Sequence, residues 1–390
     1  MPINPGFKQA VIYGSVHTEI SITWFDGGGS GHTITAASVV SESLTIDNAI
    51  CDGTEFRFGG CIASALELDI SSEHDLTDRY ITVSCTQTAT MPLYPGTNVF
   101  PGATIYPGGV SYSQSFYLFS GVVYSCKLSK NRLTRHLVAY DYFYSKGMEN
   151  CKSVYSGLFS GGQTVTLGDL RAAIITAYNF TEAQSVTLPA DSFPIHQLPD
   201  DITELTVNDA LRMIGEFNGV FLRLNGHGDI EYISIGGSST PEVYTYYIDA
   251  EAEDYTVSGF DSIDTHSVGI YGFYPDAPQD DVYDLYNDLV TTGYVASAME
   301  PGDQFAPAWN AVRDGIYPNC NISAHTPFTL NAETRLWVQP GDRLQFDLIW
   351  YAPDGNGVVS KRTKTVHGIM LSRRIKGIQA MTDELKSLEN

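Results

Sequence analysis

The sequence predicts a β-rich α+β fold, and three features carry that prediction. Tyr (24), Phe (18) and Gly (36) are plentiful while Lys and Arg together number 22, a bias toward pleated strands and tight turns over charged surface helices. The hydrophobic period is 2 over most of the chain but changes to 3.6 from about residue 143, until Asn218-Gly219 ends a helix, so a helical segment interrupts extended ones. One strand pattern also occurs twice, as Gly121-Val122-Val123-Tyr124-Ser125-Cys126-Lys127-Leu128 and as Gly368-Ile369-Met370-Leu371-Ser372-Arg373-Arg374-Ile375. Pro-Gly turns lie upstream, at Pro107-Gly108 and Pro340-Gly341. Two readings stay open for this recurrence: duplication of a β unit, or coincidence in a β-rich chain.

From the N-terminus, residues 8–25 carry strand-like alternation (Val11, Tyr13, then Ile20, Ile22, Trp24), broken by the turn run Asp26-Gly27-Gly28-Gly29-Ser30-Gly31. That run lacks the spacing of a phosphate-binding loop and no helix pattern follows it. Residues 43–70 end in clean alternation, Leu66, Leu68 and Ile70 on one face and Glu67 and Asp69 on the other, as in a strand with one wet side. Strands follow at 80–85 and 112–123, separated by a Pro/Gly-rich loop over 91–109, and then at 133–142. The cations Lys127, Lys130, Arg132 and Arg135 lie between the last two. They read either as a solvated loop or as a place where subunits pair, and Arg373 and Arg374 in the second copy of the pattern join them as candidate interface residues.

Thr166-Leu167-Gly168-Asp169 starts a helix with a Thr N-cap and an acid at N3, and Leu170, Ile174 and Tyr178 recur on one face. Thr206-Val207-Asn208-Asp209 repeats the signal, with Val207, Leu211 and Ile214 on the buried stripe; Asn218-Gly219 ends that helix. Residues 220–224 and 230–235 then predict a hairpin across Asn225-Gly226-His227-Gly228-Asp229. Extended segments follow at 244–248 and 268–271. Two helices are predicted at 281–299 and 303–316, the second with Phe305, Trp309, Val312 and Ile316 on one stripe. Strands return over 331–350, turn at 353–357, and finish over 358–378.

A length of 390 residues suits two to four domains. The formal charge of −23 argues against sequence-specific nucleic-acid binding, which works through Lys and Arg. The six cysteines form no CxxC pair and read as small buried hydrophobes, with a Cys51–Cys61 bridge as the lesser option. Residues 1–14 show no secretory pattern, and no apolar run is long enough for membrane insertion, so synthesis in the cytoplasm is expected. No nucleophile motif, cofactor fingerprint or metal signature is present. His266 beside Asp264, and the cluster Asp280, Asp281 and Asp284, read as ordinary hydrogen bonding and as acids favoured at a helix N-terminus.

The segment Phe58-Gly59-Gly60-Cys61-Ile62-Ala63-Ser64 resembles the Phe-Gly-Gly/Ser-Cys-x-Ala-Ser motif of phage baseplate and tail-tip hub proteins. That family includes the central hubs of contractile tails and bacteriocin particles and the N-terminal region of tail-associated lysins. Residues 133–142 (LTRHLVAYDY) resemble the segment closing that family's first domain, and the helix, Asn-Gly and hairpin at 206–235 resemble its small α/β domain. The resemblance implies a first β-barrel at 1–142 and a small α/β domain at 143–239. It also implies a second, similar barrel from 240–272 with 319–390, and a helical insertion at 273–318. It further implies a non-enzymatic homotrimer that joins a hexameric tail tube or distal tail protein to a spike or tape-measure protein and lines the axial channel. Such a protein belongs to a virion tail or phage-tail-like particle assembled in a bacterial cytoplasm. A lysin would carry a hydrolase after the hub, and little chain follows the second strand pattern. Two other functions remain as alternatives: a cell-wall hydrolase using the acids at 276–288, or a saccharide-binding receptor module suggested by the aromatic content.

Overall fold

The structure, a computed structural model, describes residues 3–51, 59–92, 109–130, 132–160, 165–189, 191–192, 194–195, 203–234, 241–247, 327–333, 335–353, 359–377 and 382–389. Several readings lie outside the described residues: Phe58, the helices at 281–299 and 303–316, the strand at 268–271, the insertion at 273–318 and most of the turn at 353–357. His266, the 280–284 acids and Cys320 lie outside them as well.

In chain order the elements are α1 (Pro5–Tyr13), β1 (Ser15–Phe25), β2 (Gly31–Ile34), β3 (Thr45–Ala49), β4 (Ala65–Ile70), β5 (Tyr80–Pro92), β6 (Gly109–Leu128) and β7 (Arg135–Tyr140). Then come α2 (Tyr142–Ser145), α3 (Lys152–Phe159), β8 (Val165–Thr166), α4 (Leu167–Ala177), β9 (Pro194–Ile195), α5 (Val207–Asn218), β10 (Val220–Leu224) and β11 (Ile230–Ser234). β12 (Glu242–Tyr247), β13 (Pro327–Glu333), β14 (Arg343–Pro353), β15 (Val359–Lys376) and β16 (Thr382–Glu389) complete the described chain. The fold is β-rich α+β. Twelve strands form one mixed sheet, β12-β14-β15-β3-β4-β7-β6-β5-β1-β2, with β16 on the other edge of β15 and β13 beyond it. Helices α2 to α5 gather beside the short hairpin β10–β11, whereas α1 packs against β5 and β6.

The recurring strand pattern is a repeated structural unit. β6 pairs with β5 along its first part and with β7 along its last, and Tyr124 is left unpaired between Val123↔Ala139 and Ser125↔Val138. β15 pairs with β14 and then β16, and Leu371 is left over between Met370↔Ser387 and Ser372↔Lys386. The two β-bulges fall on the same position of the pattern. Each bulge flips the side-chain alternation, so Val123 and Cys126 both face the core, as Met370 and Arg373 do. The turns that enter the units also match. Asp78 donates its N–H to the Val123 carbonyl (2.8 Å), and Val123 donates to Arg79 (2.9 Å). In the second unit Gly341 donates to Met370 (2.6 Å), and Met370 donates to Asp342 (3.0 Å). Asp78 and Gly341 both have positive φ, 62° and 97°. Because β4 pairs with β7 as β13 pairs with β16, the order β4-β7-β6-β5 returns as β13-β16-β15-β14.

This register corrects part of the sequence reading. Pro107-Gly108 is not the counterpart of Pro340-Gly341: Gly109 opens β6 opposite Pro92, so that stretch belongs between β5 and β6. The true counterpart is Thr77-Asp78-Arg79. Residues 8–13 are helical, not extended. Asn4 caps α1 by accepting the Gly6 N–H (2.8 Å), Pro5 occupies the first turn, and Phe7 and Ala10 bury one stripe near Ala89 and Trp337. The Cys51–Cys61 bridge is not formed: both residues are thiols outside any disulfide, and Cys51, Cys85, Cys126 and Cys151 are buried.

Other local readings hold. Leu66, Leu68 and Ile70 are fully buried. Thr166 and Asp169 close a reciprocal capping box, as Thr206 and Asp209 do. Two large apolar clusters result, one beneath the β4–β7 face and one between the helices and β10–β11. β15 contributes to both: Ile369 and Leu371 enter the helical cluster, and Ile375, beyond the bulge, enters the other.

Candidate functional site

The site that organises this chain is a junction, and its centre is the hairpin β10–β11. At its base Gly59 donates to the Val220 carbonyl and Leu222 donates to Gly60 (2.9 Å each), and Cys61 bridges to Leu222 in parallel. Gly60 lies so close to the neighbouring backbone that a Cβ there would sit 1.8 Å from the Ile50 carbonyl oxygen, and Gly59 has a positive φ of 77°, so both positions favour glycine. At the hairpin tip Ser120 Oγ donates to the Gly226 carbonyl (2.6 Å), and the Tyr117 and His227 rings lie 3.9 Å apart. On the outer side Arg223 donates to its cross-strand partner Glu231 (2.8 Å) and also to the Pro340 carbonyl, and Gly341 packs against Ile233. Three distant segments therefore grip one hairpin.

Asp141 links this junction to the first sheet. It accepts the N–H groups of Ser64 (2.8 Å) and Phe143 (2.9 Å) and returns its own N–H to the Ser64 carbonyl (3.1 Å). The 58–64 motif and the 133–142 segment are thus bonded to each other. Burial pushes the Asp141 carboxyl up to about 7, against the opposing pull of the backbone donors. A cavity of about 30 Å³ adjoins it, bordered by Asn48, Ser64, Ser120, Gln339 and Arg373. That is room for one or two waters, not for a substrate. Cys61 is held as a thiol: burial raises its pKa well above the ordinary value, and its Sγ donates to Asn208 Oδ1 (3.3 Å).

The predicted interface cations separate into two groups. Lys127, Lys130 and Arg132 are exposed around the turn between β6 and β7. Arg135 turns back onto its own chain, donating to the carbonyls of Ser72 (3.2 Å), Glu73 and Cys126. Arg373 is buried and donates to the carbonyls of Val338 and Arg335. Arg374 is half-exposed and forks onto Asp47 of β3, with Nη2 to Oδ2 at 2.8 Å. In the repeat register Arg373 stands where Cys126 does, and Arg374 where Lys127 does. Sequence reasoning passed over Asp141, Ser64, Arg223 and Glu231. The first two sat inside quoted motifs, while the Arg223–Glu231 pair was readable from the hairpin's own register. No group of three or more potential metal ligands occurs among the described residues, and no described helix is long and apolar enough to cross a membrane.

No protein family matches the sequence, and no curated protein does. Solved structures similar to the chain include two tail proteins and a type VI secretion component. The tail protein from Neisseria meningitidis MC58 shares 14% identity at a TM-score of 0.46, covering 96% of this chain and 97% of that one. The 43 kDa tail protein of prophage MuSo2 from Shewanella oneidensis shares 8% at 0.44, over 95% and 96%. The E. coli c3393 protein shares 9% at 0.38, over 90% and 74%. It is described as a type VI secretion component structurally similar to the T4 bacteriophage tail proteins gp27 and gp5. These are likenesses at low identity and modest TM-score.

Proposed function

We propose that this chain is a structural, non-catalytic hub of a phage-like tail tip. It joins a hexameric tail tube or distal tail protein to a trimeric spike or a tape-measure protein and lines the axial channel. In this reading residues 1–142 and 240–272 with 319–390 are two similar β-barrels, 143–239 is the small α/β domain that spaces them, and 273–318 is an insertion. The observation that supports it is the repeat of the β4-β7-β6-β5 unit as β13-β16-β15-β14, down to the bulged residue. A chain with two equivalent wedges, assembled as a homotrimer, offers six similar docking faces from three subunits, and that is the arithmetic an adaptor needs. The proposal places the protein in a virion tail or tail-like particle assembled in the bacterial cytoplasm. Native mass spectrometry of the full chain, alone and with its tube and spike neighbours, tests it: a trimer that binds a neighbour is expected. Monomers under all conditions with no binding to either would refute it.

A further inference from the structure

Helix α1 lies between the β5–β6 stem of the first unit and the segment that enters the second. Its Phe7 ring is 6.0 Å from Phe116 of β6 and 5.9 Å from Trp337. Lys8 Nζ meets Glu242 of β12 at 2.7 Å and stands 5.4 Å from the centre of the Trp337 ring. Glu242 also takes Arg335 (3.3 Å), and the Arg335 carbonyl accepts from Arg373 Nη2 (3.1 Å). Arg373 borders the cavity beside Asp141. A chain of polar contacts therefore runs from α1 to the junction.

The hold on α1 is narrow. Of its residues Phe7 and Ala10 are buried, in a small cluster with Ala89 that is separate from the two large ones. Nine residues are too few for a helix that is stable alone, so these contacts and Lys8, its one charged residue, keep it in place. Polar atoms at its bed are left unsatisfied. Gln87, which alternates with Ala89 on the inner face of β5, is 3% exposed, and its Oε1 has no hydrogen-bond partner among the described residues; nor has Trp337 Nε1. Keeping such groups dry and unpaired opposes the closed position.

We propose that α1 is a reversible strap: it opens as a unit while both repeats and the hairpin β10–β11 stay folded, and its opening releases the 335–338 turn from the β5–β6 stem. Opening withdraws the Phe7 ring from between Phe116 and Trp337, admits water to Gln87 and Trp337, and leaves Glu242 with Arg335. The Arg335 and Val338 carbonyls are acceptors for Arg373, so the position of the strap is felt at the junction. The device lies within one chain and is independent of the tail reading.

Native-state hydrogen exchange of the full chain over low urea concentrations tests it. The helical amides of Val11 and Ile12 are expected to open at least ~100-fold more often than the amides of β4, with a weaker urea dependence. The Val338 amide, bonded to the Arg335 carbonyl (3.0 Å), is expected to share that opening. Lys8→Glu sets like charges against each other at Glu242 and should speed exchange of α1 and of Val338 at least ~5-fold. The Leu222 amide should keep its protection, and Lys8→Arg should restore the native rates. An α1 that exchanges only with global unfolding, at the rate and urea dependence of β4, overturns the proposal. So does a Lys8→Glu chain in which α1 speeds up and Val338 does not. If that variant misfolds, the native chain decides: a Val338 amide that does not share the low-urea opening of α1 sinks the strap.

Discussion

Replacing Gly60 with Ala tests whether the junction is a built structure. The new Cβ would sit 1.8 Å from the Ile50 carbonyl oxygen and 3.4 Å from the Phe221 ring. Real Cβ contacts do not fall below 3.0 Å, so the backbones must part by at least 1.2 Å (3.0 − 1.8). Backbone, not a flexible side chain, is on both sides of this contact. The motion pulls directly on the two hydrogen bonds that hold the motif to β10, Gly59 to Val220 and Leu222 to Gly60. Losing both, with their groups buried, costs about 1–3 kcal/mol each. Gly60→Ala is therefore expected to destabilise by roughly 2–6 kcal/mol, in the range of a named structural break. Urea unfolding gives the midpoint shift, and native-state hydrogen exchange localises it as lost protection at the Leu222 amide. A variant within ~0.5 kcal/mol of the native chain, the scale of a neutral surface change, would refute the close approach.

Asp141→Asn probes the buried carboxyl. With the folded group at about 7 and an unfolded value of ~3.9, the folded state holds the extra proton between those limits. This contribution to stability is present at low pH and is lost as pH rises from ~4 to 7, by up to ~4 kcal/mol; urea midpoints of the variant should lack that loss. Asp78→Gly relieves a positive-φ residue on an exposed turn and should stabilise by about 0.5–1 kcal/mol. At the equivalent position Gly341→Ala meets both φ +97° and Ile233 at 2.4 Å and should lose ~2 kcal/mol or more by the same assay. Arg171 is nearly buried and holds both Asp191 and Glu182. Arg171→Met should cost ~3–5 kcal/mol in urea unfolding by stranding two carboxylates, with Asp191→Asn costing less.

What was legible in the sequence was local. The capping boxes at Thr166 and Thr206, the wet and dry faces of Leu66 to Ile70, and the hairpin across Asn225 to Asp229 each arise from neighbours a few residues apart, and each is present. Helix α1 was misread because Val11 and Tyr13 alternate by chance, while its burial runs through Phe7 and Ala10. β16 went unread because Thr382-Asp383-Glu384-Leu385-Lys386 is too polar for a strand signal, and pairing with β13 and β15 fixes it. The bulges at Tyr124 and Leu371 change the parity of β6 and β15, so a period-2 reading fails midway along each strand. Arg373 reads as a candidate interface residue because its type is charged, but it is buried within its own chain; the turn at 335–338 supplies its carbonyls, and that turn lies far from it in sequence.

The junction also explains how two repeats in one chain hold a fixed angle. Five residues of β3 pairing with β15 make a short ladder, and a ladder of that length can twist and shear about its own axis. The hairpin β10–β11 removes that freedom, because β10 is bonded to Gly59 and Gly60 next to the first sheet and, through Arg223, also holds Pro340 in the turn that enters the second unit. Its tip is fastened to β6 through Ser120. A rotation of one repeat against the other would therefore have to break contacts on both sides of the hairpin at once. The α/β segment acts as a brace between the repeats, so loosening the brace at Gly60 or Arg223 should change the geometry between the units before it unfolds either one.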